Sequence, residues 1–239
     1  MILAVLQART SSTRLPGKVL LPLAGASMIV RQIERVARAR RIDRLVVATS
    51  GETGDDALAA VAAEAGAGVF RGALDNVLAR FIGALEAFGP ASHVVRLTAD
   101  CPLADPEIID ATIDHVTRAG ADYGSNTPPK RTFPKGLDVE VMTAEALIDA
   151  GRRATTPEER EHVTWSLHRR GDLYRQAFLS QEADEGEVRW TVDYPHDYAF
   201  VCAVYETLYP ANAAFTSEDV RKLVRSRPDL AMLGGERRI

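Results

Sequence analysis

Short apolar runs alternate with segments of helical period through the first half of the chain. Ile2–Leu6 carries no charge and reads as a strand buried on both faces, the pattern of a parallel sheet. Arg44–Ser50, Gly68–Arg71 and His93–Ala99 read as three further strands. Between them, Ser27 is placed to cap a helix to about Arg41, with Ile29, Ile33 and Val36 on one face and Arg31, Glu34 and Arg38 opposite. Asp55–Ala65 reads as a second helix, closed by Gly66. Asp75 is expected to cap a third through Phe88, stopped by Gly89. Asp105-Pro106 opens a fourth, with proline in the first turn and Ile108, Ile109, Ile113 and Val116 on its apolar face. This β-α rhythm predicts an α/β fold, a mostly parallel sheet with right-handed crossovers and helices on both faces.

After Gly120 the rhythm breaks. Asp122–Asn126 reads as a short strand, and Thr127–Gly136 as a Pro- and Lys-rich loop. Leu137, Val139 and Val141 alternate with Asp138 and Glu140, as in a half-exposed strand. Thr156-Pro157-Glu158-Glu159 is a capping box that opens a helix to about Arg169. Leu173–Leu179 and Arg189–Val192 read as strands, and Pro195–Leu208 and Ser217–Arg225 as closing helices. No repeat or low-complexity linker divides the 239 residues. The expectation is one domain over residues 1–239, with about 127–179 as a small inserted β/α region.

Composition narrows the function classes. A net charge of −4 gives no electrostatic reason to expect a nucleic acid or an acidic membrane as partner. Cys101 and Cys202 cannot build a disulfide framework or a cysteine-based zinc site, and they fit a reducing, cytoplasmic setting. No apolar run reaches the roughly 18 residues of a membrane span.

The chemistry gathers first in Gln7–Lys18, where Arg9, Arg14 and Lys18 lie among Thr10, Ser11, Ser12 and Thr13 and end on Pro16-Gly17. A basic, hydroxyl-rich loop after the first strand is where an open α/β sheet binds its ligand, and its cations suit a polyphosphate. It is not a P-loop, because Ser12 and Val19 stand where that motif needs Gly and Ser or Thr. Its single glycine also excludes the dinucleotide fingerprint. Asp100, in T-A-D-C-P, and Asp193, in R-W-T-V-D-Y-P, each follow an apolar run; taken alone, Asp100 reads first as a helix-capping or turn aspartate, and Asp193 has the turn before Tyr194-Pro195 as its alternative. Read from the residues alone, Gly72 is a strand-end glycine and Asp75 a helix cap. Arg80 reads as solvent-facing. Asp138 and Glu140 share a strand face. His162-x5-His168 has the wrong spacing for a helical metal pair, and His93, His115 and His196 give no signal. No nucleophile elbow or Cys/His cluster points to covalent or zinc chemistry.

The run Gln7-Ala8-Arg9-x-x-Ser12-Thr13-Arg14-Leu15-Pro16-Gly17-Lys18 resembles the signature of the sugar-activating cytidylyltransferases, which couple CTP to 3-deoxy-2-ulosonic acids such as KDO and sialic acid. Glu159–Thr164, E-R-E-H-V-T, is similar to their spore-coat polysaccharide branch. The KDO and sialic acid enzymes tend to carry proline before Ala8, where this chain has Gln7, which leaves the sugar open. The resemblance implies a Rossmann-like nucleotide-diphospho-sugar transferase fold and a homodimer, formed through the inserted region. It implies Mg²⁺ on Asp100 and Asp193, with Arg14 and Lys18 stabilising phosphate charge and Asp100 counted with them as catalytic. It also implies nucleotide contacts from Gln7, Ala8, Arg9, Ser12, Arg71, Gly72 and Asp75. Sugar-acid contacts would come from Asn126, Lys135, Asp138, Glu140, Glu161 and His162. The partners implied are CTP and a sugar acid, and the setting cytoplasmic. An NDP-sugar glycosyltransferase is disfavoured because Pro102 stands where its Asp-x-Asp motif needs a second aspartate. A non-catalytic nucleotide-binding module remains the alternative from another class.

Overall fold

The computed structural model describes residues 1–127 and 129–239; Pro128, within the anticipated Pro- and Lys-rich loop, lies outside the described residues. The first half follows the expected alternation: β1 (Ile2–Gln7), a small hairpin of β2 (Pro22–Leu23) and β3 (Ala26–Ser27), α1 (Met28–Val36), β4 (Arg44–Ser50), α2 (Asp56–Glu64), β5 (Gly68–Gly72), α3 (Val77–Phe88), β6 (His93–Thr98) and α4 (Pro106–Arg118). The second half supplies β7 (Tyr123–Ser125), β8 (Glu140–Thr143), α5 (Ala144–Arg153), α6 (Pro157–Glu161), α7 (Trp165–Arg169), β9 (Gln176–Phe178), α8 (Pro195–Leu208), α9 (Ser217–Ser226) and α10 (Pro228–Ala231).

Seven strands form one sheet in the order β5-β4-β1-β6-β8-β7-β9. β5, β4, β1 and β6 run parallel; β8 is reversed between β6 and β7, and β9 lies parallel to β7. β1 explains the two layers of helix. Ala4 and Leu6 belong to a core shared with Ile33, Leu58, Ile109, Phe200 and Val220. Leu3 and Val5 belong to a second core with Leu78, Phe81, Leu147 and Leu167. Alternate side chains of one strand thus bury against opposite faces, and helices cover both.

Several boundaries depart from the sequence expectation. α1 stops at Val36 rather than Arg41, because the backbone N–H groups of Arg40 and Arg41 donate instead to the Asp110 carboxylate on α4, both at 2.9 Å. Arg31 is not on a solvated face: its Nε donates to the Leu23 carbonyl, and its guanidinium lies over the Tyr209 ring. α3 is capped by Asn76, whose side chain accepts from the Ala79 N–H, and not by Asp75. The expected strand from Leu137 is reduced to Glu140–Thr143; Leu137 and Val139 are buried but lie outside it. The helix from Pro157 breaks at His162–Thr164 into α6 and α7, after the capping box on Thr156 and Glu159 has formed as expected. Arg189–Val192 makes one bridge, Lys135 to Arg189, rather than a strand. Arg80 is buried, with its Nη1 donating to the Ala73 carbonyl at 2.7 Å. No helix among the described residues is long and apolar enough to cross a membrane.

Candidate active site

β1, β4, β5 and β6 end together, with Gln7 in register with Ala48 and Thr98, and Ser50 with Gly72. Because β8 is reversed, it begins at this same rim, with Glu140 opposite Arg96 and Ser125. The basic loop crosses the rim and is pinned from below by Asp55. One Asp55 oxygen accepts from the Thr10 N–H at 2.8 Å and the Thr10 hydroxyl at 2.6 Å. The other accepts from the Thr49 hydroxyl, the Ser50 N–H and the Ser50 hydroxyl. Burial pushes the Asp55 carboxyl up, but the hydrogen bonds from Ser50, Thr10 and Thr49 outweigh it and leave it at about 2. The loop closes on Gly17, whose φ of 68° is one a side chain rarely adopts, and Lys18 follows in a short 3₁₀ turn.

Lys18 is the centre of the site. Its buried ammonium donates to the Val192 carbonyl at 2.7 Å and to Asp193 Oδ1 at 3.0 Å, and lies 3.7 Å from Asp100 Oδ2. Backbone pairing brings the two aspartates to it: the Val192 N–H donates to the Asp100 carbonyl at 2.7 Å. Asp193 also takes Arg14 Nη2 on Oδ1 at 2.7 Å and Arg189 Nη2 on Oδ2 at 2.9 Å. Burial raises the Asp193 carboxyl, and Lys18, Arg189 and Arg14 together pull it below the usual carboxylate range. Arg14 is half-exposed and lies over the Tyr194 ring, its centre 5.2 Å away. A cavity of about 280 Å³ opens here, lined by Gln7, Ala8, Arg9, Ser12, Arg14, Lys18, Arg96, Asp100 and Asp193 among others.

Arg96 joins this cavity to a second of about 460 Å³, lined by Tyr123, Arg131, Glu140, His162, Thr164, Trp165 and His168. Between them is a smaller space bounded by Arg96, Thr98, Thr127, Asp138 and Glu140. Arg96 pairs with Glu140, which also accepts from the Tyr123 hydroxyl at 2.7 Å. Burial pushes the Glu140 carboxyl up, but Arg96 and its hydroxyl partners hold it below its ordinary value. Arg131 pairs with both Asp138 oxygens. The Trp165 ring is stacked with His162 at 5.8 Å between centroids, and the Arg169 guanidinium lies over it.

Not every expected residue lies at these two cavities. Asn126 is a buried structural amide, exchanging hydrogen bonds with the Leu137 carbonyl and the Val139 N–H. Lys135 lies apart from them, 3.9 Å from Glu187. Glu161 and Asp75 line a separate cavity of about 380 Å³, which shares Arg9 with the first. Arg71 is spent on the Ser50 and Glu52 carbonyls and on Asp56. Gly72 is tied to the rim by its carbonyl, which accepts from the Gly51 N–H at 2.8 Å. The sequence shows no site role for Asp55, Arg96, Arg131, Trp165 or Arg189. Only Trp165 carried a local signal, an aromatic close behind His162 in the E-R-E-H-V-T run.

A sequence model described as cytidylyltransferase matches residues 3–209. The chain is 38% identical over 239 residues to the spore coat polysaccharide biosynthesis protein SpsF of Bacillus subtilis, covering 96% of each chain. It is 32% identical over 179 residues to a 3-deoxy-manno-octulosonate cytidylyltransferase of Yersinia pseudotuberculosis, covering 72% of this chain and 70% of that one. Among solved structures, a cytidylyltransferase from Leptospira borgpetersenii superposes with a TM-score of 0.89 at 28% identity, covering 96% of this chain and 95% of that one. A CMP:2-keto-3-deoxy-manno-octonic acid synthetase complexed with CTP shares the fold, with a TM-score of 0.65 at 16% identity over 85% of this chain and 97% of that one.

Proposed function

The chain belongs to the cytidylyltransferase family, and from that premise we propose that it activates a 3-deoxy-2-ulosonic sugar acid as its CMP-sugar, releasing pyrophosphate, for a surface polysaccharide. The observation that carries this reading is the convergence of Asp100 and Asp193 on Lys18, with Arg14 also on Asp193, beside a second cavity reached through Arg96. CTP would lay its phosphates against Arg14 and Lys18, and the sugar would enter the cavity of Trp165, His162 and Arg131. The Trp165 ring suits the apolar face of a sugar, and Arg131 with the two histidines suits its carboxylate. Arg131 takes over the role expected of Lys135.

The anomeric hydroxyl attacks the α-phosphorus in line, its proton passing to solvent, and the bond from that phosphorus to the β-phosphate oxygen breaks with its electron pair leaving on pyrophosphate. Lys18 and Arg14 meet the charge that grows on the departing pyrophosphate. A divalent cation fits the donor set. Asp100 and Asp193 offer only oxygen and flank one ammonium, and no group of three or more His, Cys, Asp or Glu among the described residues could hold a metal by itself. Two carboxylates completed by substrate phosphates and water are the usual Mg²⁺ arrangement. Bound there, Mg²⁺ would neutralise phosphate charge and acidify the attacking hydroxyl. In the free protein Arg14, Lys18 and Arg189 occupy Asp193, so arriving phosphates would draw Arg14 and Lys18 away and free that carboxylate.

The test is pyrophosphate release from CTP, UTP, GTP and ATP across KDO, sialic, legionaminic and pseudaminic acids. Release with CTP and one acid is expected, with Asp100→Asn lowering kcat by at least about 100-fold while CTP still binds. Absence of CTP binding would refute the reading.

A further inference from the structure

The family match ends at residue 209, yet the site is braced by a side chain well beyond it. Arg238 is fully buried. Its Nη2 donates to Asp197 Oδ1 at 3.0 Å and its Nη1 to the Arg189 carbonyl at 2.7 Å. Asp197, also fully buried near the start of α8, accepts from the backbone N–H groups of Asp193 and Tyr194, both at 3.0 Å. Arg189 Nη2 stands 2.9 Å from Asp193 Oδ2 and 2.9 Å from Asp197 Oδ2, and its Nε donates to Asp197 Oδ1. One guanidinium is therefore shared by two carboxylates.

We propose that Arg238 is a positioning residue, which through Asp197 and the shared Arg189 holds Asp193 where Lys18 and Arg14 meet it. The inference rests on the proposed role of Asp193 at the phosphates. Without Arg238, the buried Asp197 keeps one guanidinium and draws Arg189 to itself, and Asp193 Oδ2 loses its partner. The placement of Arg238 is itself fixed. Its backbone N–H donates to the Ala231 carbonyl, the Trp190 indole donates to its carbonyl, and the Phe200 ring lies under its guanidinium. The backbone of the same segment pairs with the strand-like run before Asp193, the Arg189 N–H donating to the Arg237 carbonyl at 2.8 Å. A buried ion pair adds little stability over an apolar plug of equal volume, so packing alone does not account for an arginine here.

The test compares Arg238→Met and Arg238→Lys with the wild type in the full chain. The readouts are melting, CTP binding without metal, Mn²⁺ titration of the CTP complex with protein in excess, and pyrophosphate release. In folded Arg238→Met, CTP affinity should stay within about twofold, while Mn²⁺ affinity and kcat both fall about 10- to 100-fold. Arg238→Lys, which keeps the charge but loses the fork, should fall between. Wild-type Mn²⁺ affinity and kcat in folded Arg238→Met would overturn the proposal, as would a loss of CTP binding as large as the loss of Mn²⁺. If the methionine variant does not fold, the lysine variant decides: an intermediate kcat at a near-wild-type melting temperature supports the role, and unchanged values refute it. If the wild type binds CTP but releases pyrophosphate with no acid, the proposed reaction fails, and the Mn²⁺ titration still decides Arg238.

Discussion

Replacing Asp55 by asparagine tests how the phosphate loop is held. Each Asp55 oxygen accepts from a backbone N–H: Thr10 at 2.8 Å on one, Ser50 at 3.1 Å on the other. An amide has one oxygen, so in either orientation its NH₂ opposes one of these N–H groups. Hydroxyls can rotate, but a backbone N–H cannot. One buried donor is left unsatisfied, at about 1–3 kcal/mol, and the charge-assisted part of the other bonds is lost as well. The expected total is about 2–4 kcal/mol, a fall in melting temperature of roughly 5–15 °C for a chain of this size. The loop carrying Arg14 and Lys18 also loses its anchor, so kcat/KM of the folded variant should drop by about 10- to 100-fold.

The pH dependence follows from the direction of the shift. Folded Asp55 sits at about 2, below its unfolded value, so its contribution is complete above about pH 4 and is lost as pH falls toward 2. Urea unfolding of wild type and Asp55→Asn at pH 7 and pH 2.5 gives the comparison, and the gap between them should narrow at the lower pH. A loss below about 1 kcal/mol at pH 7, with unaltered kcat/KM, would refute the reasoning.

Two further substitutions probe the second cavity and the run that leads to Asp193. Trp165→Ala should raise the KM for the sugar by about three- to tenfold and leave CTP affinity unchanged, as kinetics at saturating CTP would report. Gly136→Ala should cost about 3 kcal/mol or more by urea unfolding, because its φ is 112° and an added Cβ would sit 2.6 Å from the Thr191 backbone nitrogen.

The parallel half of the fold was legible because apolar runs such as Leu3–Leu6 must be buried on both faces, and the turns between them carry caps and glycines. The phosphate side was legible for a similar local reason, since Arg14, Lys18 and Ser12 lie in one loop. Asp100 and Asp193 were named, but their meeting on Lys18 depends on the Val192 to Asp100 backbone bond, which no local pattern encodes. The sugar side is less legible in the sequence. Period-two spacing put Asp138 and Glu140 on one strand face, yet they share a space because Arg131 and Arg96 each hold one. Asp55 looked like a helix end and Arg80 like a solvated residue, since burial at a given helical position is set by what packs above it.

The change of strand direction at β6 gives the site its two halves. β6 pairs parallel with β1 on one side and antiparallel with β8 on the other. Arg96, on β6, reaches both neighbours: Nη2 lies 3.3 Å from Gln7 Oε1, and Nη1 meets Glu140. A wholly parallel sheet would end every strand at this rim and follow each with a crossover. Reversing β8 instead starts a strand there, so Glu140 enters the rim from the strand's first residue, opposite Ser125 and Arg96. The carboxylate needs no long side chain to reach Arg96, and the pair is held by two ladders rather than by loops. Arg96 lines both main cavities, so this one fixed guanidinium sets their spacing. The loops around it, residues 8–17 on one side and residues 129–136 on the other, can then differ in sequence without moving the two cavities apart.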